Sequence, residues 1–143
     1  MINRIYLSCI NRSNFKYYKL QASNKTLCKL LDVGCGLTDL YTFLTENKFD
    51  LQYFGVDICE AILDEARRQW PNRSVSCTDV FEGQYANIDE FDVVYCSGVF
   101  NLDLGNNLEF IEGAIPRLID ISSHLVIANF LHKHTRKHYA HCF

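Results

Sequence analysis

A short pattern of an acid and two glycines lies at the end of the first long apolar segment. Asp32 is near the end of residues 27–33, and Gly34 and Gly36 follow it. Glycines at such a turn let the backbone approach a ligand closely. Asp39 places a second carboxylate in the first turn of the helix predicted to follow. Because carboxylates oppose a phosphate at a helix N-terminus, the loop suits a cationic ligand better than a dinucleotide.

Two further acids follow apolar segments in the same way. Asp57 comes after residues 53–56, where a carboxylate accepts hydrogen bonds from both ribose hydroxyls, or alternatively caps the next helix. Asp79 comes after residues 74–77. It could accept a hydrogen bond from an adenine amine, or alternatively be a solvated loop acid. Neighbouring apolar side chains would form adenine walls or belong to the core: Ile58, Val80 and Phe81. S-adenosylmethionine fits this set because it carries a sulfonium, an ammonium and no phosphate.

Strands and helices alternate along the chain, which predicts the elements that position these residues. Strands are predicted at residues 27–33, 53–56, 74–77, 91–96 and 125–128. Helical spacing is found in residues 37–47, 59–70 and 108–118, with Pro71 ending the second helix and Pro116 weakening the third. This order predicts an α/β fold, a three-layer doubly wound and mostly parallel sheet. Ligands bind outside the carboxyl ends of such strands.

Four of these segments resemble, in order and spacing, the class I S-adenosylmethionine-dependent methyltransferases. They are Leu31-Asp32-Val33-Gly34-Cys35-Gly36, Tyr53-Phe54-Gly55-Val56-Asp57-Ile58, Thr78-Asp79-Val80 and Phe91-Asp92-Val93-Val94. The resemblance implies a Rossmann-like methyltransferase core with S-adenosylmethionine as its cofactor. It places the methionine end at Asp32, Gly34 and Gly36, the ribose at Asp57, and the adenine at Asp79. The expected cofactor site also includes four neighbours of these residues or of the strand ends: Cys35, Ile58, Val80 and Ser97, which directly follows the fourth strand.

Methyl transfer from a sulfonium needs alignment of donor and acceptor more than it needs an acid or a base. The sequence therefore leaves the catalytic residue unknown. Residues 97–101 follow the fourth strand, where the acceptor lies in such enzymes, and they lack the Asn-Pro-Pro-aromatic motif. Asn101 could orient an acceptor and Asp103 could take its proton, but the favoured interpretation of both is that they are polar loop residues. A small molecule is the expected acceptor.

Two features depart from the family pattern. Thr38 stands where a third small residue is usual, and a β-branched side chain there is expected to crowd the methionine moiety. About 13 residues follow the fifth strand, too few for the last two strands of the family's sheet. The core is therefore predicted to lack those strands, and the edge beyond residues 125–130 needs a tail, a neighbour or a second copy in a homodimer.

The charge is uneven, which divides the chain into three parts. Residues 1–26 are predicted to be a basic arm or helix, residues 27–131 the methyltransferase domain, and residues 132–143 a basic, His-rich tail. The tail is expected to be solvated rather than to hold a metal. Aromatic and basic residues interleave at residues 14–19, which could bind RNA, but the net charge of -3 argues against it. A lid over the cofactor pocket is the simpler alternative for this arm.

The composition bounds the remaining possibilities. A chain of 143 residues that is 48% hydrophobic predicts one globular domain, and no apolar run approaches the roughly 20 residues that cross a bilayer. The seven cysteines are odd in number and contain no Cys-x-x-Cys pair, so free thiols in a reducing cytoplasm are expected. No signal peptide is expected.

The expected function is S-adenosylmethionine-dependent methyl transfer to an unidentified acceptor. Two alternatives remain open. A non-catalytic module that binds an adenosyl ligand is suggested by Thr38 and the missing strands. A nicotinamide-dependent oxidoreductase is disfavoured by the carboxylates of Asp32 and Asp39.

Overall fold

A computed structural model describes residues 4–8, 27–82 and 91–130, and of residues 4–8 only the backbone. The strands are β1 (Arg4–Ser8), β2 (Cys28–Val33), β3 (Leu51–Asp57), β4 (Val75–Cys77), β5 (Phe91–Cys96) and β6 (Ser122–Asn129). The helices are α1 (Asp39–Glu46), α2 (Glu60–Gln69) and α3 (Asn107–Asp120), and a single 3₁₀ turn covers Val99–Asn101. Among these helices, none combines the length and the apolar character that a bilayer crossing requires.

The six strands form one parallel sheet in the order β1-β6-β5-β2-β3-β4. The chain moves outward from β2 through β3 to β4, and then returns to place β5 on the other side of β2. The strand order therefore reverses between β2 and β5, which is where ligands bind in open α/β sheets. The predicted α/β fold is confirmed.

The five strands and three helices predicted from residue spacing are all present. The observed bounds differ from the predicted ones by a few residues at most, and those of β5 are identical. Four residues of β5 are buried, as expected when both faces of a parallel sheet are covered: Phe91, Val93, Val94 and Cys96. Helix α3 continues through Pro116, so the weakening expected there does not end the helix.

Two apolar layers cover the sheet. Alternate side chains of a strand point to opposite faces, so Leu31 packs in one cluster and Leu30 in the other. The first cluster includes Phe100 and Leu118, and the second includes Leu44 of α1. Burial of each such leucine stabilises the fold by roughly 1.5–3 kcal/mol. The result is the predicted three-layer arrangement.

The edge beyond β6 is occupied by the chain's own N-terminal segment. Strand β1 pairs with β6 in parallel, from Arg4 opposite Leu125 to Ser8 opposite Asn129. The expectation that this edge awaits a tail, a neighbour or a second copy was therefore wrong. The homodimer stays a prediction, but an open edge of β6 no longer supports it. Across the described ranges no strand runs antiparallel to its neighbour.

Several predictions lie outside the described residues. The RNA-binding or lid role of residues 14–19 and the solvated tail at residues 132–143 both do so. The division of the chain at residues 26 and 131 stays a prediction.

Candidate functional site

The turn after β2 is tied to the neighbouring strand. The backbone N–H groups of Gly34 and Cys35 both donate to the carbonyl of Val56, at 2.8 and 3.0 Å. The N–H of Thr38 then donates to the carbonyl of Cys35 at 2.8 Å, which closes the turn. The Cys35 side chain is buried, and burial raises the pKa of its thiol to about 12. Only the backbone of Cys35 is therefore placed to contact a ligand.

The two glycines of the turn are needed for different reasons. Both have left-handed backbones, with φ of 72° at Gly34 and 52° at Gly36. A Cβ atom added at Gly34 would lie 2.4 Å from Cγ2 of Val99, so the 3₁₀ turn packs directly against it. A Cβ atom added at Gly36 would meet nothing within 4 Å. Gly36 therefore borders open space at the carboxyl edge of the sheet, where a ligand can lie against the backbone.

Asp57 links the glycine turn to helix α2. Its Oδ2 accepts a hydrogen bond from the N–H of Gly36 at 3.0 Å, and its Oδ1 accepts one from the N–H of Cys59 at 2.9 Å. Each carboxylate oxygen retains a second lone pair, so the oriented acid can also accept from two hydroxyls. Cys59 is the N-cap residue of α2, so Asp57 contacts the start of that helix, as the capping alternative expected. Ile58, beside Asp57, is 71% exposed.

The segment after β4 lies beside Asp57. The N–H of Thr78 donates to the backbone carbonyl of Asp57 at 2.9 Å. Oδ1 of Asp79 accepts from the N–H groups of Phe81 at 2.8 Å and Glu82 at 3.3 Å, which is the geometry of an Asx turn. Val80 is buried in the core cluster, as the core-packing alternative expected. Asp79 and Ile58 are therefore the accessible candidates for contact with an adenine.

Asp32 is buried rather than open to the crevice. It is 3% exposed, and its Oδ2 accepts a hydrogen bond of 2.7 Å from the hydroxyl of Tyr53. The pKa of Asp32 is raised to about 7, chiefly by burial; the Tyr53 hydrogen bond lowers it, and the charges of Asp57 and Asp39 make smaller upward contributions. The raised pKa favours the protonated form of Asp32, which weakens the negative field expected from it. Asp39 is exposed at the start of α1.

Thr38, in the place of the family's third small residue, has a left-handed backbone with φ of 66° and ψ of 37°. This conformation costs a residue other than glycine about 1–3 kcal/mol. Its side chain is completely buried and forms hydrogen bonds to the guanidinium of Arg73, which also donates to Oγ1 of Thr42 at 2.8 Å. Because none of its surface is exposed, the side chain does not narrow the crevice as the sequence suggested.

A second polar group lies where β5 and β6 end. Nδ2 of Asn129 donates to Oγ of Ser97 at 2.7 Å, and Oδ1 of Asn129 accepts from the N–H of Gly98 at 2.8 Å. Oδ1 of Asn101 is buried and has no hydrogen-bond partner within the described part of the chain. Asp103 is exposed, and its Oδ1 accepts from the N–H of Gly105 at 2.9 Å. Asp103 is thus placed as a polar turn residue, whereas Asn101 offers an unpaired acceptor.

Three contacts of the site were not expected from the sequence. Tyr53 was interpreted only as an apolar strand residue, and nothing local marks its bond to Asp32. Arg73 follows Pro71 in an ordinary turn pattern, far along the chain from Thr38. Asn129 carried a usable signal, because it ends a parallel strand and residues at such ends face the ligand crevice.

Comparison with known proteins gives the family. A model described as a methyltransferase domain matches residues 31–114, more than half of the chain. Magnesium protoporphyrin IX methyltransferase from Synechocystis PCC 6803, with bound SAM, is 21% identical with a TM-score of 0.60 over 80% of this chain and 53% of that one. An amino pentose methyltransferase from Micromonospora echinaspora, also SAM-bound, is 26% identical with a TM-score of 0.56 over 71% and 42%.

A third solved structure, DesVI of Streptomyces venezuelae, is 23% identical with a TM-score of 0.54 over 71% of this chain and 42% of that one. No curated protein matches the sequence. The chain spans about half or less of each of these three proteins, which share its fold. Because the matched residues 31–114 include the glycine turn, Asp57 and Asp79, the chain belongs to the methyltransferase domain family.

Proposed function

We propose that this domain binds S-adenosylmethionine and transfers its methyl group to a small-molecule acceptor. The observation that carries the proposal is the arrangement around Asp57. Its carboxylate is oriented by backbone N–H groups of Gly36 and Cys59, beside open space above Gly36. An acid fixed in this way at the end of a central strand is suited to the two hydroxyls of a ribose.

The remaining cofactor groups follow from this placement. The methionine end would lie against the turn at Gly34, Cys35 and Gly36, with Asp32 behind the turn. No side chain of the described residues caps helix α1, so its first N–H groups are available to the carboxylate of the methionine moiety, and exposed Asp39 lies nearby for the ammonium. Ile58 and Asp79 would contact the adenine, with Val80 packed beneath them and Ser97 at the β5 side.

The protein's part in the reaction is to orient and to exclude water. S-adenosylmethionine supplies an activated methyl group when it is bound. Asn129 holds Ser97 and Gly98 at the end of β5. The Oδ1 atom of Asn101, unpaired among the described residues, is suited to accept a hydrogen bond from the methyl-accepting substrate. Asp103, in its exposed turn, would act only if the acceptor reaches that turn. A small-molecule acceptor is supported by the amino pentose and magnesium protoporphyrin methyltransferases that share the fold.

A binding experiment tests the proposal. We expect S-adenosylhomocysteine to bind with micromolar Kd in titration calorimetry and NAD not to bind. Asp57→Asn should weaken that binding at least about tenfold, because hydrogen bonds to a charged group contribute roughly 1.5–3 kcal/mol each. Asp50→Asn, an exposed acid in the turn before β3, is the matched control and should leave Kd unchanged. Unchanged affinity in Asp57→Asn, or binding of NAD, would refute the assignment.

A non-catalytic module for an adenosyl ligand is the second candidate. Tight binding of S-adenosylhomocysteine without methyl release to any of a panel of amines, sugars and porphyrins would favour it over the enzyme.

The cytoplasm is the proposed location. The five cysteines in the described part of the chain are all free thiols: Cys28, Cys35, Cys59, Cys77 and Cys96. Free thiols are usual where glutathione and thioredoxin keep a compartment reducing.

A further inference from the structure

Thr38 requires something to hold it in its conformation. It is a β-branched residue with a left-handed backbone, a conformation that L side chains rarely adopt without support. Its hydroxyl does not cap helix α1 but donates to the carbonyl of Leu37 at 2.6 Å. Its carbonyl accepts the N–H of Thr42 at 3.2 Å, the first helical bond of α1. Thr38 therefore both closes the glycine turn and begins the helix.

The support comes from Arg73, in the loop after α2. One guanidinium nitrogen of Arg73 donates to both the carbonyl oxygen and the hydroxyl oxygen of Thr38, the former at 3.1 Å. The other donates to Oγ1 of Thr42, so the same group holds both ends of the first turn of α1. Its planar fork suits several acceptors at once, which an ammonium does not.

Two aromatic rings hold the guanidinium in place. The Cζ atom of Arg73 lies 4.5 Å from the ring centroid of Tyr41 and 4.4 Å from that of Trp70. Both distances are within the range of a cation–π contact. Nε of Arg73 is buried without a partner in the described residues, so the side chain keeps this position at a cost in hydrogen bonding. The side chain is therefore fixed by surrounding groups rather than free on the surface.

We propose that Arg73 is a positioning residue for the cofactor turn. It holds Thr38 in the conformation that glycine adopts unaided, and so keeps residues 34–38 shaped for the methionine end of the cofactor. That residues 34–38 bind the methionine end rests on the proposed function. That Arg73 holds the conformation of Thr38 concerns the ligand-free protein and is tested separately.

The test is a double-mutant cycle read with two ligands. S-adenosylhomocysteine carries the amino-acid end, and 5′-methylthioadenosine lacks it. We expect Arg73→Ala to raise the Kd of S-adenosylhomocysteine about tenfold and that of methylthioadenosine less than about twofold. Thr38→Gly alone gives the reference Kd values for the cycle. In the Thr38→Gly background, Arg73→Ala should lose most of its effect, because glycine needs no clamp.

The matched control is Arg68→Ala, an arginine of α2 whose side chain is 74% exposed. It should leave both Kd values unchanged. Equal losses for both ligands in Arg73→Ala, or additive effects of the two substitutions, would overturn the proposal, because a general loss of stability predicts both. If Arg73→Ala does not fold, recovery of folded protein by added Thr38→Gly supports the clamp, and failure to recover contradicts it.

Hydrogen exchange separates this proposal from the proposed function. In ligand-free protein, Arg73→Ala should speed amide exchange in residues 38–42, and Thr38→Gly should remove that effect. If the protein binds neither ligand but shows this coupling in hydrogen exchange, the proposed function is refuted and the role of Arg73 is supported. If it binds both ligands without this coupling, the proposed function is supported and the role of Arg73 is refuted.

Discussion

The two sides of the crevice edge differ in how their polar groups are satisfied. On the β3 side, both carboxylate oxygens of Asp57 accept backbone N–H groups, and the neighbouring Asp79 closes a turn of its own. On the β5 side, Asn129 fixes Ser97, but the buried Oδ1 of Asn101 has no partner in the described ranges. The difference indicates that the β3 side, where we propose that the cofactor binds, is organised before binding. The β5 side, where we propose that the methyl acceptor binds, has a buried polar atom without a partner among the described residues.

The largest expected effect concerns the glycine turn. Gly34→Ala should destabilise the protein by about 2–4 kcal/mol, because it combines a left-handed backbone with a collision against Val99. The free energy of unfolding in urea measures this. Gly105→Ala is the control, since its φ is 79° with nothing near an added Cβ, and it should cost about 1–2 kcal/mol. Equal costs would show that the 3₁₀ turn does not pack against Gly34.

The second expected effect is a dependence on pH at Asp32. Its folded-state pKa of about 7 lies above the unfolded value, so the folded protein binds the extra proton between about pH 4 and pH 7. Asp32 therefore favours folding below that window, and this contribution is lost as pH rises through it. The free energy of unfolding of Asp32→Asn relative to wild type should therefore rise by about 2 kcal/mol from pH 5 to pH 8. Urea unfolding at the two pH values measures this difference. A pH-independent difference would contradict the raised pKa.

The smallest effect on stability is expected at Asn101, whose side-chain oxygen has no hydrogen-bond partner among the described residues. Asn101→Leu should change the free energy of unfolding by less than about 1 kcal/mol, because no hydrogen bond is lost. Asn129→Leu leaves Ser97 and Gly98 unpaired and should cost about 1–3 kcal/mol. Methyl transfer should fall in Asn101→Leu while the Kd of S-adenosylhomocysteine is unchanged. If Asn101→Leu costs as much stability as Asn129→Leu, the two sides of the edge do not differ as described.

The alternation of elements was predictable because it depends on local spacing. Strand β5 is a mostly apolar run interrupted by Asp92, and α1 begins directly after the glycine turn, so neighbours along the chain carry the signal. The same reasoning placed Gly34, Gly36, Asp57 and Asp79 at one edge, since parallel strands end together. The structure brings these residues together as expected.

What the sequence did not show depends on partners far apart in the chain. Strand β1 has no clear alternation of its own and is specified by pairing with β6. Tyr53 lies opposite Leu30, which puts its hydroxyl within reach of Asp32 on the same face two residues on. Arg73 contacts Thr38 although α1, β3 and α2 separate the two residues in the sequence. Such contacts follow from the assembled sheet and not from any window of residues.

The pairing of β1 with β6 also bears on how the chain assembles. Among the described strands, β1 comes first in the sequence and its neighbour β6 comes last, with the other four between them. Closing so long a loop is slow, and contacts of this range lower folding rates. We therefore expect β1 to pair with β6 after the other described strands have formed the sheet.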